Sequence, residues 1–146
     1  MIMSRLQVAI VTETYLPQVN GVSKTLNRLV EYLTRQGDEV KILAPRYETE
    51  PSVPEGAEVF PFHAVSLPFY AEVVIPLGRP GKIWKILKEH RPDIVHVATE
   101  GPFGLSAIIS ARWLGIPVVS SFHTNFPQYL RLYGTGWLER PAWSYL

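Results

Sequence analysis

A short apolar stretch followed by an amphipathic stretch occurs twice in this chain, and this order constrains the fold more than any other feature. Residues 7–12 contain the apolar run VAIV, which is typical of a strand buried on both faces. The next apolar residues recur at helical spacing and form one stripe: Val22, Leu26, Leu29, Val30 and Leu33. Residues 93–98 and 101–114 repeat the same order of strand and helix. Two such units with short linkers predict an α/β fold, a Rossmann-like parallel sheet with helices on both faces.

The remaining elements follow from glycine and proline positions. Gly37 is placed to end the first helix, and Gly115 the helix over 101–114. A second strand over 39–44 is expected to stop at Pro45. Seven of the 13 prolines lie from Pro45 to Pro80, so loops around short strands at 57–60 and 73–75 are predicted there. A helix over 80–90 and a strand over 117–122 complete the pattern.

Composition excludes several classes of protein. The chain has 146 residues, 47% of them hydrophobic and 18% charged, as in one globular domain rather than a disordered chain. Its 14 basic and 13 acidic residues leave a net charge of +1, which argues against a dedicated nucleic-acid binder. Because there is no cysteine, disulfides and thiolate chemistry are excluded. Neither a signal peptide nor a membrane span is visible, and we expect a cytoplasmic protein.

Polar residues follow three of the predicted strands, at 12–14, 98–101 and 122–125. Since parallel strands all point the same way, these strand ends should meet on one rim of the sheet. A histidine at a strand end can orient a hydroxyl or carry a proton near neutral pH, and we favour this role for His123. For His96, inside a strand, we favour a structural role.

Asn20 and Gly21 lie where the first helix begins. Unpaired amides and the positive end of the helix dipole suit a phosphate there, and a glycine lets a ligand approach the backbone. The same two residues also form an ordinary tight entry turn, and the residue types alone leave both interpretations open. The glycine patterns of dinucleotide and P-loop sites, the serine hydrolase elbow and the zinc-binding HExxH motif are all missing from the sequence.

Three passages in this order resemble the N-terminal domain of the retaining family-four glycosyltransferases of GT-B architecture. They are residues 12–22 (TETYLPQVNGV), 92–102 (PDIVHVATEGP) and 117–127 (PVVSSFHTNFP). The resemblance covers nearly the whole chain and is greatest to transferases with lipid acceptors, such as GDP-mannose-dependent α-mannosyltransferases and sulfoquinovosyl or glucosyl lipid transferases. Many members have Gly-Gly-Val where this chain has Asn-Gly-Val at 20–22.

The resemblance implies a role for particular residues. The donor diphosphate would bind at Asn20, Gly21 and Val22. The active-site histidine that contacts the transferred sugar maps onto His123, and Glu100 matches an acidic position near the cleft. Acceptor contacts are expected from Glu13, Thr14, Tyr15, Thr124 and Asn125. The family implies no bound metal and no cofactor, with GDP-mannose or UDP-glucose as substrate and transfer with retention.

Residues 1–125 then form the acceptor-side domain, one half of a GT-B architecture. The aromatic segment 126–146 would lead toward a C-terminal, donor-binding domain that these 146 residues lack, so we predict that the fragment alone is inactive. Lys82, Trp84, Lys85 and Lys88 could form a patch that binds an anionic membrane surface, although a solvated helix face is the simpler interpretation. A non-catalytic α/β binding or partner domain is the alternative to a transferase.

Overall fold

The structure, a computed structural model, describes residues 4–67, 70–77, 79–99 and 101–121. Its strands are β1 (Gln7–Val11), β2 (Glu39–Pro45), β3 (Ala57–Phe62), β4 (Ala64–Leu67), β5 (Tyr70–Pro76), β6 (Ile94–Val97) and β7 (Val118–Ser120). Its helices are α1 (Gly21–Arg35), α2 (Pro80–His90) and α3 (Pro102–Trp113).

The main sheet has five strands in the order β3-β2-β1-β6-β7, and every neighbouring pair is parallel. Strand β1 is central: β2 lies on one side of it and β6 on the other. The chain builds the sheet outward from β1 through β2 and β3 and then crosses to β6. The carboxyl ends of β1 and β6 therefore flank the topological switch point, where ligands of open α/β sheets bind.

Helices cover both faces of the sheet, as predicted. On one face, Leu26 and Val30 of α1 pack in a cluster with Val8 and Ile10 of β1. On the other face, α2 and α3 pack in a cluster that contains Ala9 of β1. Alternate residues of β1 from Val8 to Val11 thus serve two cores, which explains why all four are apolar. The predicted Rossmann-like α/β class is confirmed.

Two helices end in the same way, and both ends match the predicted glycines. After α1, the amide of Gly37 donates to Thr34 O and the next amide, of Asp38, donates to Leu33 O. Gly37 has φ +90° and Gly115, after α3, has φ +70°, in the left-handed region that glycine favours. These turns close the helices and return the chain toward β2 and β7.

The proline-rich region is more regular than the sequence suggested. Pro45 is the last residue of β2 rather than a stop before it, and Pro61 lies inside β3. Because β3 is at the edge of the sheet, a residue without an N–H is tolerated there. The predicted strand over 73–75 is part of β5, which pairs antiparallel with β4 in a separate hairpin. Strand β4 was not predicted.

None of the helices within the described ranges combines the length and apolar character that crossing a bilayer requires.

Candidate functional site

The ends of β1 and β6 are joined by hydrogen bonds just beyond the last ladder residues. The amide of Ala98 donates to Val11 O at 2.9 Å, and the amide of Glu13 donates to Thr99 Oγ1 at 2.8 Å. The predicted meeting of residues 12–14 with residues 98–101 on one rim is therefore confirmed for the part of the second stretch that is described. This rim is the candidate site.

The third strand end, at β7, also reaches this side of β6. The amide of Ser121 donates to Val97 O at 3.0 Å, and His96 Nε2 lies 2.7 Å from Ser121 Oγ. His96 is half-buried, and its contact ties β6 to the end of β7, which fits the structural role favoured for it. His123, Thr124, Asn125 and Glu100 lie outside the described residues, and their predicted roles stay predictions.

Helix α1 begins with a capping box at Asn20. The side-chain oxygen Oδ1 of Asn20 accepts from the Ser23 amide at 2.8 Å, and Ser23 Oγ accepts from the Asn20 amide at 3.0 Å. The carbonyl oxygen of Asn20 accepts from the Lys24 amide. Among the described residues, the amides of Gly21 and Val22 donate to no partner. These two donors are what the start of α1 offers to a ligand.

Gly21 is exposed. Among the described residues, no atom beyond its chain neighbours and its own helix backbone lies within 4 Å of the position that a Cβ would take on it. The backbone is therefore open to close approach from outside at this residue. The side chain of Asn20 makes hydrogen bonds at both ends, and its predicted phosphate contact stays a prediction. Its Nδ2 donates to Thr14 Oγ1 at 2.7 Å, while its Oδ1 caps the helix.

The segment between β1 and α1 is held by its own hydrogen bonds. Thr12 Oγ1 donates to Thr14 O at 2.7 Å, and Thr14 Oγ1 donates to Gln18 Oε1 at 3.2 Å. The bond from Asn20 to Thr14 joins the two ends of this segment. The side chain of Thr14 is consequently engaged within the protein.

Tyr15 is a core residue. Its side chain is fully buried, and its hydroxyl donates to Asn27 Oδ1 of α1 at 3.3 Å. Burial raises the pKa of Tyr15 to about 12, and the negative charge of Glu31 adds to the effect. A direct side-chain contact with an acceptor, as the resemblance implied for Tyr15, does not fit this position.

Glu13 lies at the start of α3. A Cβ built on Gly101 would overlap both carboxylate oxygens of Glu13, so the carboxylate packs directly against that glycine. Gly101 is the N-cap of α3 and has no side chain to cap the helix. A negative charge here is stabilised by the helix dipole. Sequence reasoning placed Glu13 on the rim, but it missed that Gly101 makes room for it.

The proposed membrane patch on α2 is not one continuous surface. Lys82 Nζ donates to Pro61 O at 2.6 Å and lies 4.2 Å from the centre of the Phe62 ring. Burial lowers the pKa of Lys82, and the positive charges of Arg46 and Arg79 lower it further. Lys82 therefore belongs to the contact between α2 and β3.

The other three residues of the patch lie on the exposed side of α2. Lys88 Nζ lies 4.5 Å from the centre of the Trp84 ring, and Lys85 pairs with Glu89 at 3.9 Å.

Comparisons with known proteins point to one family. Residues 19–146 match the sequence profile of Glycosyltransferase Family 4. The chain is 34% identical to a GDP-mannose-dependent alpha-mannosyltransferase of Mycobacterium tuberculosis (strain CDC 1551 / Oshkosh), over 98% of this chain and 39% of that protein. It is 32% identical to an alpha-monoglucosyldiacylglycerol synthase of Streptococcus pneumoniae (strain ATCC BAA-255 / R6), over 94% of this chain and 31% of that protein.

The solved structure of a glycosyltransferase from Rickettsia africae ESF-5 has the same fold. It superposes with a TM-score of 0.58 at 19% identity, over 88% of this chain and 34% of that one. The chain thus spans less than half the length of each of these three proteins. Since the family profile covers all but the first 18 residues, the chain belongs to Glycosyltransferase Family 4.

Proposed function

We propose that this chain is the acceptor-side half of a hexosyltransferase. The complete enzyme would move mannose or glucose from a nucleotide sugar to a lipid or glycan acceptor, with retention at the anomeric carbon. Family membership supports transfer of a sugar, and the names of the relatives support the two substrates: one is GDP-mannose-dependent and the other makes a glucosyldiacylglycerol.

The observation that carries the proposal is the open start of α1 at the switch point of the sheet. The amides of Gly21 and Val22 project from a helix whose third amide is already capped by Asn20. Two donors and the positive end of the dipole suit the diphosphate of a nucleotide sugar. As the bond to the leaving diphosphate breaks, its growing charge would be stabilised by these fixed donors.

The acceptor would lie beside Glu13 on the same rim. A carboxylate there accepts hydrogen bonds from hydroxyl groups, which suits a sugar or glycerol hydroxyl as the attacking group. Thr14 and Tyr15 contribute by holding the segment in place, and Thr124 and Asn125 would supply further acceptor contacts. His123 would contact the transferred sugar, with Glu100 near the cleft. No metal enters this mechanism.

The proposal requires a second Rossmann-like domain with basic residues for the rest of the phosphate charge. We expect no turnover when the 146-residue chain alone is mixed with labelled GDP-mannose or UDP-glucose and diacylglycerol vesicles. Turnover should be restored in a chimera in which the chain is fused to the part of the Mycobacterium tuberculosis relative that follows its matched region. Formation of labelled glycolipid measures activity, and NMR of the product shows whether the anomeric configuration of the donor is kept.

Variants of the chimera test the site. Substituting His123→Ala or Glu100→Ala should reduce turnover at least about a hundredfold, the range that positioned catalytic groups contribute. The matched control is His63→Ala, because His63 is exposed and contributes only its backbone to the contact with Leu77. Full activity of the His123→Ala chimera would remove His123 from the site. A chimera without turnover, together with self-association of the chain, would instead favour the non-catalytic partner domain.

Binding at the cytoplasmic face of a membrane is a separate part of the proposal. The exposed side of α2 offers Trp84, Lys85 and Lys88 to anionic lipid, at about 1 kcal/mol for each basic residue near the surface. The unchanged chain should float with phosphatidylglycerol vesicles. The double variant Lys85→Glu/Lys88→Glu should not. Lys24→Glu, on the exposed side of α1, is the control. Failure of the unchanged chain to float would refute this part.

A further inference from the structure

A chain of hydrogen bonds crosses from the loop after β2 to the start of α1. Tyr47 hydroxyl donates to Gln18 Oε1 at 3.1 Å, and the same oxygen accepts from Thr14 Oγ1 at 3.2 Å. Thr14 Oγ1 in turn accepts from Asn20 Nδ2 at 2.7 Å. We call these four residues, Tyr47, Gln18, Thr14 and Asn20, the turn network.

The turn network fixes which end of the Asn20 carboxamide faces the helix. Because Nδ2 is committed to Thr14, the oxygen Oδ1 points at the Ser23 amide and accepts from it at 2.8 Å. Rotating the carboxamide would break both bonds at once. The cap is thereby held in one orientation, and the first turn of α1 is held with it.

Tyr47 is the member of the turn network that comes from outside the segment between β1 and α1. It is half-buried, and its hydroxyl also accepts from the Tyr15 amide at 3.2 Å. One hydroxyl therefore serves two groups of that segment, a backbone amide and the Gln18 side chain. Removing it would leave the Tyr15 amide without this acceptor, and Gln18 Oε1 would keep its bond from Thr14 but lose the link to the loop after β2.

From this geometry we infer that Tyr47 is a positioning residue for anion binding at the start of α1. Through Gln18 and Thr14 it orients Asn20, and Asn20 holds the amides of Gly21 and Val22 where a diphosphate would meet them. The inference rests on the proposed function, since it assigns control of that phosphate site to the loop between β2 and β3. Sequence patterns gave no sign of it, because Tyr47 lies outside every recognisable motif.

The test compares Tyr47→Phe with Tyr32→Phe in the 146-residue chain. Phenylalanine keeps the ring of Tyr47 and removes the two hydrogen bonds. Tyr32 is an exposed tyrosine of α1, 60% accessible, and is the matched control. Thr14→Val is the second variant, and it cuts the turn network next to Asn20.

Two measurements by NMR separate positioning from a general structural effect. The first is hydrogen exchange of the Ser23 amide, which needs no ligand. It should become about threefold to tenfold faster in Tyr47→Phe and faster still in Thr14→Val, while exchange in α2 stays the same. The second is titration with inorganic pyrophosphate, followed at the Gly21 and Val22 amides. Its dissociation constant should rise about threefold to tenfold in Tyr47→Phe and stay unchanged in Tyr32→Phe.

Each outcome decides something different. Unchanged Ser23 exchange in both Tyr47→Phe and Thr14→Val would overturn the inference even if pyrophosphate binds the unchanged chain. Faster exchange without weaker pyrophosphate binding would also overturn it, because the cap would then not control the donors. If pyrophosphate leaves Gly21 and Val22 unaffected in the unchanged chain, the proposed phosphate site fails. Selective acceleration at Ser23 would still show that Tyr47 positions Asn20.

Discussion

The two helices that begin at the candidate site, α1 and α3, start in opposite ways. Helix α1 is capped from within by Asn20 and Ser23, and its first residue, Gly21, has open space around it. Helix α3 begins at Gly101 without a side-chain cap, and the carboxylate of Glu13 from another segment packs against it. The positive end of α3 is thus already matched by a negative charge of the protein itself.

The two helix starts on the rim therefore differ in their electrostatic character. The start of α1 has two amide donors without an acceptor among the described residues, whereas the start of α3 already has a carboxylate, which repels an anion. The helix that the sequence singled out for phosphate, α1, is also the one that the structure leaves open. The glycines play opposite parts as well: Gly21 leaves space for a ligand, and Gly101 leaves space for Glu13.

The largest expected effect is on the α3 side, at Gly104. A Cβ there would overlap the Thr99 carbonyl oxygen and come within 2.8 Å of Val97 Cγ1. Because backbone cannot move aside as a flexible side chain can, Gly104→Ala should lower the free energy of unfolding by about 3 kcal/mol. Urea denaturation measures it. Gly81→Ala is the control, since no atom lies within 4 Å of that position in α2. Equal stability of the two variants would show that α3 has room to shift.

Tyr15 should make the α1 side sensitive to alkaline pH. Its pKa is raised by burial from 10.0 to about 12 in the folded chain, so the unfolded chain loses this proton first. Stability from Tyr15 is therefore complete below pH 10 and falls as the pH rises toward 12, by about 2–3 kcal/mol in all. Tyr15→Phe should flatten that part of the stability profile, measured by urea denaturation at several pH values. Tyr32→Phe should keep the slope, and an unchanged slope in Tyr15→Phe would contradict the assignment.

Variants of Asn20 separate its role as a helix cap from a role in ligand binding. Asn20→Ala should cost about 1 kcal/mol of stability because the Ser23 amide loses its acceptor. Asn20→Asp keeps that acceptor but loses the Nδ2 donor to Thr14, so it should cost less thermal stability than Asn20→Ala. The added negative charge beside Gly21 should nevertheless weaken pyrophosphate binding at least about tenfold. Pyrophosphate binding by Asn20→Asp as tight as in the unchanged chain would place the anion somewhere else.

Glu13→Gln tests the charge at the start of α3 while keeping the shape of the side chain. Loss of the favourable interaction with the helix dipole should reduce stability by about 0.5–1 kcal/mol, and less at high salt. Thermal denaturation at low and high ionic strength measures both effects. Glu48→Gln, in the exposed loop after β2, should change neither. A loss that does not depend on salt would mean that packing against Gly101, rather than charge, sets the role of Glu13.

Gly21→Ala should have the smallest effect on stability and still change binding. The methyl group meets no atom of the protein, so the free energy of unfolding should change by only a few tenths of a kcal/mol. It would stand where the phosphate approaches, and the pyrophosphate dissociation constant should rise about tenfold. Gly81→Ala, with the same open surroundings in α2, should leave binding as it was. Unaltered binding by Gly21→Ala would remove the start of α1 from the proposed site.

Much of the fold could be predicted from local patterns. The apolar residues of β1 are consecutive because the strand is buried on both faces. Those of α1 recur at helical spacing because the helix is buried on one face. Gly37 and Gly115 could be assigned to helix ends because their backbone angles are ones that side chains rarely adopt. The hairpin of β4 and β5 was missed, since prolines at strand ends and in an edge strand resemble the prolines of loops.

The candidate site was predictable in position but not in its contacts. The sequence placed residues 12–14 and Gly21 on one rim, because parallel strands share their carboxyl ends. It could not show that Tyr15 is buried, that Lys82 reaches the Pro61 carbonyl, or that Tyr47 joins the segment before α1. Those contacts join residues far apart in the chain.

The sequence by itself therefore determined the α/β class, the order of the principal elements and the residue at which the first helix starts. Only the tertiary structure decided that the Asn20 side chain joins Thr14 to the cap of α1, and that Glu13 occupies the start of α3. The physical reason is that periodicity and turn chemistry act within a few residues. Which side chain reaches a helix start, by contrast, depends on how distant segments pack.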